Sequence, residues 1–227
     1  MSSHSDKRRG DALVILLLLL SVTTGLVDAV SVLGLGKVFT ANMTGNVVFL
    51  GFAIAGVPGF SWPLYIIALL CFALGAVFAG RIAARHSGSG RRRWLLCGAM
   101  AETALLWLAA LIAVIAPPAG ENGSVYAMIA LTAAAMGARN TTIRQLKVPD
   151  LTTTVLTLTI TGLAAESTLA GGGNPNLARR VLAIVAILVG AVAGALLLTR
   201  FGPAPPLFIA GLAVAISTWL LVIEDIG

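Results

Sequence analysis

Asp28, Asn42, Thr44 and Asn46 lie in a stretch that is otherwise apolar enough for lipid. The run from Gly25 to Gly51 reads GLVDAVSVLGLGKVFTANMTGNVVFLG, and a second polar, Gly/Thr-rich run covers Gly137 to Gly162, GARNTTIRQLKVPDLTTTVLTLTITG. Carboxamides and hydroxyls both donate and accept hydrogen bonds, so they suit a polar solute that is bound and released unchanged. Polar groups in lipid are costly unless paired or wet, and by default they mark functional sites. Asn42-Met43-Thr44-Gly45-Asn46 falls where a helix should begin. A helix amino terminus offers free N–H groups and a partial positive charge, which suits an anion or a polar head group. Pro149-Asp150-Leu151-Thr152-Thr153-Thr154 reads the same way, with Thr157 one turn on. Capping and packing remain the alternative role for all of these side chains.

Three acids complete the set. Asp28 sits two thirds along the first apolar segment, where it could bind a cation, exchange a proton or pair with Arg139. Glu102 is a candidate proton carrier, and Glu166 lies near a segment end. The expected solute-binding residues are therefore Asp28, Asn42, Thr44, Gly45, Asn46, Asn140, Thr153, Thr154 and Thr157, with Asp28 and Glu102 as coupling residues.

Enzyme chemistry finds no foothold. No Ser/His pair, HExxH motif or phosphate-binding glycine loop is present, and Gly34-Leu35-Gly36 is too short for a dinucleotide fingerprint. His4 and His86 fall in the tail and a loop, and Cys71 and Cys97 lie inside apolar segments, so no metal site or cofactor is expected.

The elements that must position these residues are membrane helices. The chain is 58% hydrophobic and 11% charged, against about 25% charged in soluble domains. Its net charge of +6 comes from short loops and segment ends, so it marks topology rather than nucleic-acid binding. The first 29 residues have a signal-peptide outline, but the apolar run continues to Leu35, long enough to span, and no cleavage is expected. Segments 12–33, 62–84, 94–116, 124–146, 178–200 and 204–223 reach the roughly 20 residues that a span requires. Segments 40–57 and 152–170 are shorter and polar. Pro58-Gly59, Pro117-Pro118, Pro149 and the Pro203–Pro206 run punctuate the pattern.

Basic residues fix the number of crossings. Eight crossings would leave 10 of the 15 Lys and Arg on the far side from the amino terminus. If both short segments enter and return on one side, only Lys37 and Arg200 lie on the far side. Letting 152–170 cross changes the split by a single residue, so the bias decides the first short segment and leaves the second to a repeat argument.

That repeat has three anchors. Gly25-x-x-Asp28 matches Gly137-x-x-Asn140, Gly75-Ala76-Val77 matches Gly190-Ala191-Val192, and Trp107-Leu108 matches Trp219-Leu220, at offsets of 112, 115 and 112. The expected fold is all-α: six transmembrane helices plus two re-entrant half-helices as an inverted 3+3 repeat. It divides into a basic tail at 1–11, a first repeat at 12–116, a linker at 117–123 and a second repeat at 124–227. The spacings Gly75-xxx-Ala79, Ala76-xxx-Gly80 and Gly190-xxx-Gly194 are helix-packing devices, and a homodimer is one way to use them. Trp62, Trp94, Trp107 and Trp219 are expected to be interface anchors or lipid-facing bulk.

At Gly25–Ala29, Val38–Asn46, Met136–Asn140 and Thr153–Thr157 the chain resembles the YoaK family of bacterial inner-membrane proteins, whose activity is not assigned. The resemblance covers nearly the whole chain after the tail, and the Phe39-to-Asn46 motif is its most specific part. Arg139 and Leu158 depart from the family pattern, which often has Gln and Gly there. The resemblance implies a multi-pass protein of the bacterial inner membrane. The residues themselves point to a secondary transporter of a small polar or anionic solute, with the amino terminus in the cytoplasm. A channel on the same half-helices and a non-transporting scaffold or accessory subunit are the rivals.

Overall fold

The computed structural model describes residues 2–85, 91–146 and 156–224, and among them there are helices and connections but no strand. Eight helices follow in order: α1 Ser2–Gly34, α2 Met43–Ile54, α3 Trp62–Arg85, α4 Arg91–Ile115, α5 Gly123–Leu146, α6 Leu156–Ala165, α7 Leu177–Phe201 and α8 Ala204–Glu224. A 3-10 turn at Thr168–Ala170 precedes α7.

Helix boundaries follow the expected punctuation. Pro63 in α3 and Pro205 and Pro206 in α8 occupy first turns, where a missing N–H costs nothing. Gly202, at φ 80°, ends α7 in a conformation open to glycine. One boundary differs: α1 reaches back to Ser2, through the basic segment expected to be a tail.

Four stretches are long and apolar enough to cross a membrane: Val14–Gly34, Trp62–Arg85, Arg93–Ile115 and Leu177–Phe201. At 1.5 Å per residue, 21 residues reach about 32 Å, matching a hydrocarbon core of about 30 Å. Buried shares sort these helices into layers. Within its most apolar window α1 is 67% buried, against 17% for α3 and α7. The free faces of α3 and α7 carry Leu70, Leu74, Phe78, Leu188 and Leu196, as lipid-facing surfaces do. Helix α5 lies inside, buried along most of its length from Val125 to Leu146. It carries Arg139, Asn140 and three threonines, and so falls short of the hydropathy of a lipid-facing span. The result is a multi-pass, all-α membrane protein with α1 and α5 in the interior.

Two helix crossings are built alike. On α1 and α7, a side chain at Gly25 would run into the Ile187 carbonyl, and one at Gly190 into the Val22 carbonyl. On α5 and α3, the same holds for Gly137 against Phe72 and Gly75 against Ala134. The first pair maps onto the second at offsets of 112 and 115 residues. Gly34 against Leu198 extends the first crossing, so α1 and α7 run parallel. Leu64 and Val125 border one cavity while Thr141 reaches Ala76, so α3 and α5 run parallel too.

Helices α4 and α8 pack antiparallel. Thr103 Oγ1 donates to the Gly211 carbonyl and Trp107 Nε1 to the Phe208 carbonyl, both at 3.2 Å. Trp107 also stacks on Phe208 with ring centres 5.3 Å apart. Trp62, Trp107 and Trp219 are exposed as expected, Trp107 while also joining α4 to α8, whereas Trp94 is buried.

Candidate functional site

The site begins with the connection from α1 to α2. Gly36 and Lys37 adopt positive φ and turn the chain back after Gly34. Asn46 then fixes the returning strand of backbone. Its Oδ1 accepts the Phe39 N–H at 2.9 Å, and its Nδ2 donates to the Phe39 carbonyl at 2.6 Å. Both ends of the carboxamide are thus used on the backbone of one residue, and the side chain is fully buried. Gly45 leaves room for the Phe39 ring, which a Cβ there would approach to 2.7 Å. Phe39 stacks on Phe49, and Phe49 packs against Phe60 and Tyr65, pinning α2 to α3.

This bracing sets the Ala41 N–H against Asp28, whose Oδ1 accepts it at 3.2 Å. The carboxylate of α1 therefore meets the amino end of α2, a favourable charge–dipole contact. Asn42 occupies the N-cap position but makes no capping hydrogen bond with its side chain. Asn42 lines a cavity, together with Thr44 and Gly45.

That cavity, about 450 Å³, lies among α1, α2, α5, α6 and α7. Small-molecule sites fall in the range of about 300–1,000 Å³. Thr24 and Asp28 line it from α1, Met136, Arg139 and Asn140 from α5, and Leu156 and Thr157 from α6. Each pair on α1 and α5 is spaced four residues apart, on one helix face. Thr24 and Met136, like Asp28 and Asn140, differ by the repeat offset of 112. Val48, Phe49 and Ile187 supply the apolar part of the wall.

Arg139 is the central cation. Its Nε donates to Glu102 Oε1 at 2.6 Å, and its Nη2 makes an ion pair with the same oxygen. Its Nη1 donates to the Leu20 carbonyl and to Thr24 Oγ1, each at 3.1 Å. The guanidinium thus ties α5 to α4 and α1 in one buried network. At the edge of the site Arg180 pairs with Glu166 at 2.8 Å, joining the end of α6 to α7.

The predicted residues separate into groups. Asp28, Asn42, Thr44, Gly45, Asn140 and Thr157 share one cavity. Asn46 lies behind it as a brace, and Glu102 beneath it as the partner of Arg139. Thr153 and Thr154 lie outside the described residues. Sequence reasoning missed Thr24, Met136, Phe49 and Ile187, although i, i+4 spacing from Asp28 and Asn140 identifies the first two. No group of His, Cys, Asp and Glu able to hold a metal occurs among the described residues.

Comparison with known proteins agrees on class. No solved structure matches the chain. The UPF0700 transmembrane protein YoaK of Bacillus subtilis (strain 168) is 33% identical over 153 residues, covering 66% of this chain and 65% of that protein. The chain therefore spans just under two thirds of that relative's length. Residues 16–220 match the family described as protein of unknown function DUF1275, and with all of α5, α1 from residue 16 onward and the whole described cavity wall inside that match, the chain belongs to this YoaK-type family of membrane proteins.

Proposed function

We propose that the protein is a small secondary transporter of the bacterial inner membrane, binding a small polar solute in the cavity between α1, α2, α5 and α6. The observation that carries this reading is the cavity wall: Asp28, Asn42, Thr44, Asn140 and Thr157, drawn from four helices, converge on one space. Asn42 holds the N-cap position of α2 without a side-chain capping hydrogen bond and lines this cavity, which a packing role alone does not explain.

The architecture behind the proposal is an inverted repeat of three crossings and one half-helix. Several contacts support it. The residues that end α1, begin α3 and begin α5 border one cavity, so α2 leaves and returns at the same end. At 12 residues α2 is about 18 Å long, too short to cross. The parallel contacts of α1 with α7 and of α3 with α5 support opposite senses for the three crossings of each half, with α6 returning to the end it came from. The distribution of basic residues favours an amino terminus in the cytoplasm. Sites between such repeats, at half-helix ends, are where secondary transporters bind solute.

The test is solute flux in proteoliposomes with a panel of small polar metabolites. Asn42→Ala and Thr44→Ala are expected to reduce saturable flux at least about tenfold, the loss from one or two directed hydrogen bonds, with expression and unfolding temperature unchanged. Unaltered flux in both variants would sink the site assignment. Conductance without saturation would point to a channel, and no flux to a scaffold.

A further inference from the structure

We propose that the ligand of this cavity is a small organic cation, a protonated amine with a short apolar body, gripped through its ammonium group by Asp28. The inference rests on the same cavity as the transport reading and deepens it.

One guanidinium and two carboxylates meet here. Arg139, on the wall of this cavity, donates Nε to Glu102 and Nη1 to Leu20 and Thr24, while its Nη2 has only the ion-pair contact with Glu102 and no hydrogen-bond partner. Its charge is compensated by the Glu102 carboxylate. Asp28 is the carboxylate left at the cavity wall, in contact with the Ala41 N–H. The amino end of α2 offers about half an elementary charge, felt within its first turn, which offsets only part of a full negative charge. The expectation of an anionic solute assumed open helix termini. At α2 that place is taken by the protein's own carboxylate, and an incoming anion would meet Asp28 head on.

The rest of the wall suits an ammonium group. Its three N–H donors need a carboxylate and two neutral acceptors, and Asp28, Asn140 and Thr157 offer that combination on one cavity. The face of Phe49 attracts cations, and Ile187 and Leu156 extend the apolar side where a short hydrocarbon body fits. An inorganic ion would prefer a cage of oxygens to this half-apolar wall.

Thermal unfolding of the purified full-length protein in detergent separates the possibilities. The probes are propylammonium chloride, sodium propionate and sodium chloride at equal ionic strength, so that body length is constant and only the head group changes sign. Propylammonium is expected to raise Tm saturably, and neither sodium salt to do so. Asp28→Asn keeps an acceptor for the Ala41 N–H and is expected to weaken the apparent propylammonium affinity at least about tenfold. Asn140→Ala, which leaves α1 untouched, is expected to weaken it severalfold and reads the same site if Asp28→Asn does not fold. Stabilisation by propionate, equal stabilisation by sodium chloride, no shift with propylammonium, or an affinity unchanged in these variants overturns the proposal. Propylammonium binding without any flux refutes the carrier and leaves the cation assignment standing; flux of an anion without propylammonium binding does the reverse.

Discussion

Asn46 and Glu102 show how burial changes what a polar residue can do. Each is buried and fully engaged with the protein, Asn46 with the Phe39 peptide and Glu102 with Arg139. Asn46→Asp keeps the acceptor for the Phe39 N–H and loses the donor to its carbonyl. It is expected to cost about 1–3 kcal/mol, the penalty for an unmatched buried group, and to lower Tm measurably even without solute. Asn42→Ala, at the exposed neighbour, should leave Tm in place. The Arg139–Glu102 pair gives a sharper test. Either Glu102→Gln or Arg139→Met alone strands a buried charge and is expected to cost about 3–5 kcal/mol. The double variant should cost much less than the two combined, and a double-mutant cycle in chemical denaturation reads the coupling. Additive losses would mean that the pair is not the unit described.

Helices α1 and α7, and α5 and α3, meet through glycines because only glycine lets two backbones approach so closely. Gly25→Val and Gly137→Val are expected to disrupt their crossings to a similar degree, since each new side chain meets a carbonyl of the facing helix. Gly51→Ala and Gly80→Ala face open space and should be silent. Expression and monodispersity after extraction compare the four variants directly. A harmless Gly137→Val beside a destructive Gly25→Val would break the equivalence of the two crossings. Gly75 and Gly190 were legible as packing glycines because small-xxx-small spacings are local, whereas Gly25 and Gly137 stood out only as repeat anchors. Their partners were not legible: nothing local says that Gly75 meets α5 rather than another helix. The same limit applies to the site. Asp28 and Asn42 stand out as polar residues in apolar runs, whereas Phe49 and Ile187 look like any other lipid-facing side chain until the fold turns them inward. Arg139 shows the reverse, since its choice of Glu102 over Asp28 depends on how α4 and α5 pack.

At the scale of the molecule, the sidedness of the loops decides between a protein of six crossings and one of seven or eight. Charge counting alone separated the first short segment clearly and the second by a single residue, because a crossing at 152–170 moves Arg179 and Arg180 to the far side but brings Arg200 back. Packing adds what composition lacks: a parallel contact of α1 with α7 is the arrangement expected if 152–170 returns to the side it came from. Single cysteines on a background with Cys71 and Cys97 replaced make the prediction concrete. Cysteines at Gly59, Gly120 and Gly202 are expected to react with a membrane-impermeant maleimide from the same side of intact cells. A cysteine at Gly173, between the 3-10 turn and α7, should react only after the membrane is opened. An added Cβ meets nothing within 4 Å at Gly120, Gly173 and Gly202 and only Lys37 Nζ at 3.4 Å at Gly59, but φ is positive at Gly59, Gly120 and Gly202, so a cysteine there costs backbone strain and each variant is first checked for expression. Labelling of the Gly173 position from outside would make 152–170 a true crossing and remove the inverted symmetry. The transport proposal would then lose its second half-helix, while the cavity contacts of Asp28, Asn42 and Asn140 would remain to be explained by an asymmetric fold.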